Sequence, residues 1–286
     1  MLLEGEKAMR TLEAIFLDID GTLTQPGHSR PPESAIAAIE AARCKGRKVF
    51  LCTGRCEAML RPLLECTAFD GYVASAGALV VVDGRDVFDC PMTREERDGV
   101  MTAMARAGVY RTVQTRTGAY SDEGFRDFLR ARDEKSGSSE LLRWREAIEQ
   151  RLHMQPMRDY GGESAYSIVC MAPTRAQLDQ AMAECGMVDF LLMDDRTHDI
   201  VNAETVSRRC DKGSGVRRAC EAMGIDARHS ICFGDSLNDL PMFAAAGVSV
   251  CMGNGEEAAK AAADVVCGAV AADGLAKAFA AYGLLA

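Results

Sequence analysis

The sequence predicts a doubly wound, Rossmann-like parallel α/β sheet with a smaller α+β domain inserted into it. In its N-terminal and C-terminal thirds, short apolar segments alternate with helix-like segments, as they do in βαβ units. The middle third instead mixes polar helical stretches with an isolated apolar segment. We therefore expect a core domain made of residues 1–83 and 196–286 and an inserted domain made of residues 84–195.

Composition indicates an ordinary globular protein. Of the 286 residues, 48% are hydrophobic and 26% are charged, and the net charge is −9. An acidic surface repels nucleic acid and anionic lipid, so neither is an expected partner. It still allows a small anionic substrate, because a metal ion and a few cations can reverse the field locally.

The cysteines indicate a reducing compartment. The 12 cysteines are irregularly spaced and form no C-x-x-C pair, which argues against a zinc ribbon or a redox motif. With no secretory signal at the N-terminus, this predicts a cytoplasmic protein. The oligomeric state is left open between a monomer and a homodimer. We assign no role to residues 1–8.

The first βαβ unit can be followed in the N-terminal third. Ala14–Leu17 is an apolar strand that ends at Asp18, and a helix with apolar residues at helical spacing follows Pro32. Gly46 ends this helix. The next strand, Val49–Cys52, leads into Thr53.

The C-terminal third repeats this alternation, with five further elements. They are a helix over Gly213–Met223, a strand over Ser230–Phe233, a helix over Leu240–Ala246, a strand over Val248–Met252 and a helix from Glu256. Within the insert we expect helices over Thr93–Ala107 and Glu140–Arg151, a strand over Ser167–Met171 and an exposed loop over Lys135–Ser139.

Three predicted strands end in polar residues: Asp18, Thr53 and Asp235. Ligands of an open α/β sheet bind outside the carboxyl ends of its strands, so these residues should meet. Asp18 and Asp20 can face the same side, and two adjacent carboxylates repel each other unless a cation lies between them. With Asp235 as a third oxygen ligand, the set suits Mg²⁺.

Other residues at this edge suit a phosphate group. Lys212 can neutralise both a phosphate and Asp18, while Thr53 and the amides around Gly54 can bind phosphoryl oxygens. Asp239 can hold Lys212 or a metal-bound water in place.

Four segments resemble, in order, the four motifs of the haloacid dehalogenase superfamily. They are Asp18-Ile19-Asp20-Gly21-Thr22, Thr53-Gly54-Arg55, Lys212, and Gly234-Asp235-Ser236-Leu237-Asn238-Asp239. The insert resembles a type II cap, and Met252-Gly253-Asn254-Gly255 is similar to the Cof-type sugar-phosphatase branch.

The resemblance implies a role for each matching residue. Asp18 would be the nucleophile and Asp20 the general acid and base, with Thr53 and Lys212 as further catalytic residues. Asp18, Asp235 and the main-chain carbonyl of Asp20 would bind Mg²⁺. The substrate-binding set would be Thr53, Gly54, Arg55, Lys212 and Asn238. The implied reaction is hydrolysis of small phosphorylated metabolites, such as sugar phosphates, through an aspartyl-phosphate.

Ser75-Ala76-Gly77 departs from the family, whose members often carry Asn at the middle position. This departure weakens any transfer of substrate specificity, and the substrate itself is not readable.

Alternatives to hydrolysis are a phosphomutase or another phosphotransferase at the same site, or a non-catalytic binding protein of the same fold. Gly253-Asn254-Gly255-Glu256-Glu257-Ala258 also fits the G-x-G-x-x-A dinucleotide fingerprint. We reject this reading because only one helix is expected to follow, which leaves no complete βαβ unit, and because Glu256 and Glu257 would repel a pyrophosphate. For His198 we expect a hinge or packing role.

Overall fold

The structure, a computed structural model, describes residues 12–25, 28, 30–125, 127, 154–192 and 201–286. Its strands are β1 Ala14–Leu17, β2 Lys48–Cys52, β3 Gly71–Ala74, β4 Leu79–Val82, β5 Arg85–Asp89, β6 Tyr110–Thr115, β7 Ala119–Ser121, β8 Met154–Pro156, β9 Ala165–Ala172, β10 Asp189–Leu192, β11 Val201–Val206, β12 Ser230–Gly234, β13 Val248–Cys251 and β14 Val265–Val266. Its α-helices are α1 Glu33–Cys44, α2 Arg61–Cys66, α3 Arg94–Arg106, α4 Arg175–Ala183, α5 Lys212–Met223, α6 Leu240–Ala245, α7 Glu257–Ala262 and α8 Gly274–Ala281.

The larger sheet has eight strands in the order β14-β13-β12-β1-β2-β3-β4-β5. Its strands from β14 to β3 are parallel, and β4 and β5 are antiparallel. All four residues of β1 are buried, as expected of a central parallel strand with both faces covered. Separate apolar clusters lie on the two faces, one with residues of α1 and α8 and the other with residues of α5 and α6. The predicted doubly wound α/β core is confirmed.

The second sheet has six strands in the order β10-β11-β9-β6-β7-β8 and is mostly antiparallel. Helices α3 and α4 contact this sheet and each other, and they contribute Val100, Met104 and Leu178 to its apolar core. This is the α+β insert that the sequence predicts. Helix α3 begins with a capping box in which Thr93 and Glu96 bind each other's backbone N–H groups, so its predicted start is close to the observed one.

Judged by strand pairing, both boundaries of the inserted domain lie further along the chain than we expected. Strand β5 lies in the larger sheet, because Asp83 and Gly84 both have positive φ (46° and 74°) and fold it back onto β4. Strand β11 pairs with β9 and β10 of the second sheet. The expected boundaries at residues 83 and 195 therefore do not match the strand pairing. We propose that the inserted domain starts after Asp89 and ends at Val206.

The expectation that only one helix follows Gly253–Gly255 is wrong. Helix α7, strand β14 and helix α8 all follow, and β14 pairs in parallel with β13. A complete βαβ unit therefore exists, although β14, at two residues, is too short to leave a periodic signal in the sequence. The chain topology therefore does not exclude a dinucleotide site.

Several predictions lie outside the described residues. They are the segment 1–8, the helix over Glu140–Arg151, the loop over Lys135–Ser139 and the role of His198. In the described part of the chain, no helix is long and apolar enough to cross a lipid bilayer. All twelve cysteines are described, and each is a thiol rather than half of a disulfide.

Candidate active site

The candidate site lies at the carboxyl ends of the central strands. In the sheet register Leu17 of β1 pairs with Leu51 of β2 and with Phe233 of β12. The residues that follow each strand therefore emerge at one edge, and the N–H of Asp18 donates to the carbonyl of Phe233 at 2.9 Å. Asp18, Thr53 and Asp235 follow β1, β2 and β12 at this edge, because these strands are neighbours in the sheet.

Three carboxylates form a cluster there. Asp18, Asp235 and Asp239 each offer an oxygen, and these oxygens lie within 4.8 Å of one another. Asp239 is fully buried and accepts hydrogen bonds from the N–H groups of Asp235 (2.9 Å) and Ser236 (3.1 Å). Asp239 therefore also fixes the loop that carries Asp235.

Among the described residues, a single ammonium group, that of Lys212, faces these acids. Its Nζ donates to Asp18 Oδ1 at 2.7 Å, to Asp239 Oδ1 at 2.6 Å and to Asn238 Oδ1 at 3.1 Å. Lys212 begins α5 and is only 1% exposed. Of the predicted site residues, the structure thus brings Asp18, Lys212, Asp235, Asn238 and Asp239 together.

The cluster perturbs the pKa values of its members. Burial raises the pKa of Asp18 from 3.8 to about 7, against the opposing effect of Lys212, and Asp239 and Asp20 raise it further. Burial, then Asp18 and Asp239, raise the pKa of Asp235 to about 8. For Lys212, the two facing carboxylates outweigh burial and raise the pKa. The local charge is therefore unbalanced: three acids share one cation.

A divalent cation would fit this imbalance. Oδ1 of Asp235 is buried, and no described group forms a hydrogen bond with it. A buried acceptor without a donor is costly, and a metal ion would satisfy it. The donors are hard oxygens and few in number, which suits Mg²⁺ with water and phosphate completing the coordination shell.

The carboxylate of Asp20 lies close enough to Asp18 and Asp235 to raise the pKa of both groups. Asp20 binds the guanidinium group of Arg55, with Nε–Oδ2 at 3.0 Å and Nη2–Oδ1 at 2.7 Å. A tight turn follows Asp20, since Gly21 has φ +82° and its N–H donates to Thr24 O. The predicted role of the Asp20 carbonyl stays a prediction.

Thr53 and Gly54 follow β2 on the neighbouring strand. Thr53 is buried, and its hydroxyl accepts a hydrogen bond from the N–H of Arg55 at 3.1 Å. Apart from its two chain neighbours, no described atom lies within 4 Å of where a side chain of Gly54 would start, so there is open space on that side of the residue. Sequence reasoning placed Arg55 among the substrate ligands and missed its pairing with Asp20.

Comparison with known proteins decides the family. The sequence model for haloacid dehalogenase-like hydrolases matches residues 15–279. The chain belongs to this family. Phosphoglycolate phosphatase of Methanopyrus kandleri is 27% identical over 264 residues, covering 92% of this chain and 93% of that protein. Pyridoxal phosphate phosphatase YbhA of Escherichia coli is 25% identical over 280 residues, covering 93% and 97%.

A solved structure shows the same fold. The subclass IIB sugar phosphatase BT4131 superposes with a TM-score of 0.76 at 23% identity, covering 95% of this chain and 99% of that one. The predicted family, its Cof-type branch and the predicted enzyme class, a phosphoric monoester hydrolase, are confirmed.

In this haloacid dehalogenase-like hydrolase, the segment Ser75–Gly77 supports the Thr53 loop. The N–H of Ser75 donates to Arg55 O and that of Ala76 to Thr53 O, each at 2.9 Å. All three residues have positive φ, including the non-glycine residues Ser75 (47°) and Ala76 (52°). Asn tolerates this left-handed region better than Ala, which gives the family's Asn at position 76 a backbone reason.

The hydrolase also has an ionic contact between its two sheets. Arg116, in the β6–β7 turn, binds Glu57 and Asp86, with Nη2–Asp86 Oδ1 at 3.0 Å. Tyr72 donates to the same Glu57 carboxylate at 2.6 Å. Glu57 lies just beyond the loop of Thr53 and Arg55, so the insert contacts the core close to the candidate site.

Proposed function

We propose that this hydrolase is a Mg²⁺-dependent phosphatase of small phosphorylated metabolites, sugar phosphates included, that works through an aspartyl-phosphate on Asp18. The observation that carries the proposal is the buried contact of Lys212 with Asp18 and Asp239 beside Asp235. A buried ammonium group that holds a carboxylate at a strand end positions a nucleophile and supplies charge for a phosphoryl group.

In the first half-reaction Asp18 attacks phosphorus. Lys212 binds Oδ1 of Asp18, and among the described residues no donor binds Oδ2, so Oδ2 would be the attacking oxygen. The bond between phosphorus and the leaving oxygen breaks, and Asp20 donates a proton to that oxygen. Thr53, the Gly54 amide, Lys212 and Asn238 would hold the phosphoryl oxygens.

In the second half-reaction a water molecule attacks the same phosphorus. Asp20, now ionised, takes the proton of that water, and the bond between phosphorus and Asp18 breaks to release inorganic phosphate. Asp18 and Asp20 thereby return to their initial states. Arg55 would hold the Asp20 carboxylate between these proton transfers.

Asp18, Asp235 and the main-chain carbonyl of Asp20 would hold Mg²⁺. When bound, the metal would supply positive charge against the phosphoryl oxygens. Asp239 stays with Lys212 and the N–H groups of the Asp235 loop, where it orients both.

The test is phosphate release from an aryl phosphate by wild-type protein, by Asp18→Asn and by a control, Asp264→Asn. Asp264 accepts hydrogen bonds from the N–H and the hydroxyl of Ser249 away from the cluster, so the control also removes a hydrogen-bonded carboxylate. We expect Asp18→Asn or EDTA to lower turnover about a thousand-fold or more, with the control near wild type. Normal turnover by Asp18→Asn would refute the mechanism.

Isotopic water and a substrate panel test the finer points. Hydrolysis predicts that solvent oxygen enters the released phosphate, whereas phosphate without solvent oxygen would indicate transfer to another acceptor. The panel should contain sugar phosphates, phosphoglycolate and pyridoxal phosphate, the last two being substrates named for the relatives. A cytoplasmic location also stays a proposal, which the twelve thiols support.

A further inference from the structure

The loop between β13 and α7 contacts both halves of the candidate site. At its centre, the side-chain amide of Asn254 donates from Nδ2 to the carbonyl of Gly21 at 2.7 Å. The Oδ1 of the same amide accepts from the N–H of Val270 at 2.9 Å. Asn254 therefore ties the turn after β1 to the C-terminal segment of the chain.

The position of Gly21 controls the peptide that carries the predicted metal-binding carbonyl. The N–H of Gly21 and the carbonyl of Asp20 belong to one peptide unit, and this N–H donates to Thr24 O at 3.0 Å. Asn254 holds the next peptide unit through the Gly21 carbonyl. Together the two contacts restrain both sides of Gly21, whose φ of +82° most residues would not adopt.

Gly21 also lies against Asp235. A Cβ atom on Gly21 would lie 2.0 Å from Asp235 Oδ2, so the turn and this carboxylate are in direct contact. A shift of the turn would therefore change the geometry between Asp20 and Asp235.

The same loop holds the main chain of Asp235. The N–H of Glu256 donates to Asp235 O at 2.8 Å, and a Cβ atom on Gly255 would lie 2.7 Å from that oxygen. One short loop thus binds both segments that carry the proposed metal ligands. The glycines of this loop therefore serve the close packing against Asp235 and not the binding of a dinucleotide.

We propose that Asn254 is a positioning residue, whose amide fixes the Asp20–Gly21 peptide against Asp235 so that the site can bind its divalent cation. The inference rests on the proposed function, since it concerns the metal of that reaction. A neutral amide is required: an aspartate would lose the donor to Gly21 and add a fourth negative charge near three carboxylates.

The test compares Asn254→Ala and Asn254→Asp with the wild type, using Mg²⁺ as the probe. Asn254→Asp keeps the shape and the acceptor for Val270, but it replaces the donor to Gly21 with a negatively charged oxygen. We expect both variants to raise the Mg²⁺ dissociation constant, measured by calorimetry, about tenfold. The kcat should fall by a similar factor, while KM for an aryl phosphate stays within about twofold.

Ser34→Ala is the matched control. Ser34 donates to Asp273 at 2.6 Å and so tethers the same C-terminal segment without contacting the site. We expect Ser34→Ala to leave the Mg²⁺ dissociation constant unchanged, whatever its effect on the melting temperature.

The measurements distinguish a failure of the inference about Asn254 from a failure of the proposed function. If both Asn254 variants melt at a lower temperature but keep the wild-type Mg²⁺ constant and kcat, Asn254 has only a structural role and the inference is overturned. If the wild type itself neither binds Mg²⁺ nor releases phosphate, the proposed function fails, and the inference fails with it.

Discussion

The guanidinium group of Arg55 binds both carboxylate oxygens of Asp20, at 3.0 Å through Nε and at 2.7 Å through Nη2. Such a forked contact fixes the orientation of a carboxylate as well as its charge. In a proposed general acid and base, orientation determines whether the proton reaches the leaving group. The pair therefore links Arg55, in the second motif, to the proton transfers proposed for Asp20 in the first motif.

We predict that Arg55→Lys lowers kcat about tenfold while keeping the positive charge, because a lysine cannot reproduce the fork. Turnover and its pH dependence would be measured on an aryl phosphate. Arg43→Lys is the control, since Arg43 binds Asp70 in a similar two-bond arrangement away from the cluster. Wild-type kcat in Arg55→Lys would show that Asp20 does not depend on the pair.

The stability of the metal-free protein should fall as pH rises. Burial raises the pKa of Asp18 from 3.8 to about 7 and that of Asp235 from 3.8 to about 8. Between the ordinary pKa of 3.8 and the raised pKa values, the folded protein binds more protons than the unfolded chain. Raising the pH through this window therefore favours unfolding.

We therefore expect the melting temperature in EDTA to decrease from about pH 5 to pH 8, and Mg²⁺ to restore it most at the upper end, where both acids are ionised. Asp18→Asn should flatten the EDTA profile. A melting temperature that rises through this window in EDTA would contradict the raised pKa values.

Ala76 occupies a left-handed conformation, with φ 52° and ψ 39°, that costs an L-residue about 1–2 kcal/mol. Ala76→Gly removes this cost and adds a smaller entropic one of about 0.5–1 kcal/mol. We predict a net stabilisation of about 0.5–1 kcal/mol, measured by urea unfolding.

Ala78→Gly, in the same segment, is the control and should lower the free energy of unfolding. Ala78 has ordinary right-handed values, φ −73° and ψ −23°, and is buried in the core, so glycine there has the entropic cost and also loses the packing of the methyl group. Stabilisation by both substitutions, or by neither, would contradict a conformational origin.

Features of the site that follow from local sequence signals can be predicted, whereas features that depend on contacts between distant segments cannot. Asp18, Thr53 and Asp235 follow strands whose apolar runs are local signals, so their convergence could be predicted from strand order alone. The pairing of Asp20 with Arg55 could not, because it depends on the turn at Gly21 and on side-chain directions across two loops. The domain to which β5 and β11 belong is hard to predict for a similar reason, because their strand partners assign them to a sheet and their own residues leave the choice open.

Arg116 should couple energetically to Glu57 across the two sheets. The pair is partly exposed, with about a third of the Arg116 side chain accessible (32%) and 24% of the Glu57 side chain. Solvent screening limits such a contact to about 0.5–1 kcal/mol. We predict a coupling of that size in a double-mutant cycle of Arg116→Gln and Glu57→Gln, reduced at 1 M salt, where the screening length is about 3 Å. Strict additivity at low salt would show that the contact does not join the sheets.

Gly21→Ala should damage the site more than the fold. Gly21 and Gly46 have nearly equal φ, +82° and +86°, so alanine at either position suffers a similar backbone cost of about 1–2 kcal/mol. They differ in what a Cβ atom would meet: Asp235 Oδ2 at 2.0 Å for Gly21, and no described atom within 4 Å for Gly46. We therefore expect similar losses in melting temperature, whereas only Gly21→Ala displaces the Asp235 carboxylate and lowers Mg²⁺ affinity and kcat, each by about tenfold or more. Equal Mg²⁺ affinity in the two variants would mean that Asp235 does not bind the metal from the position it has beside Gly21.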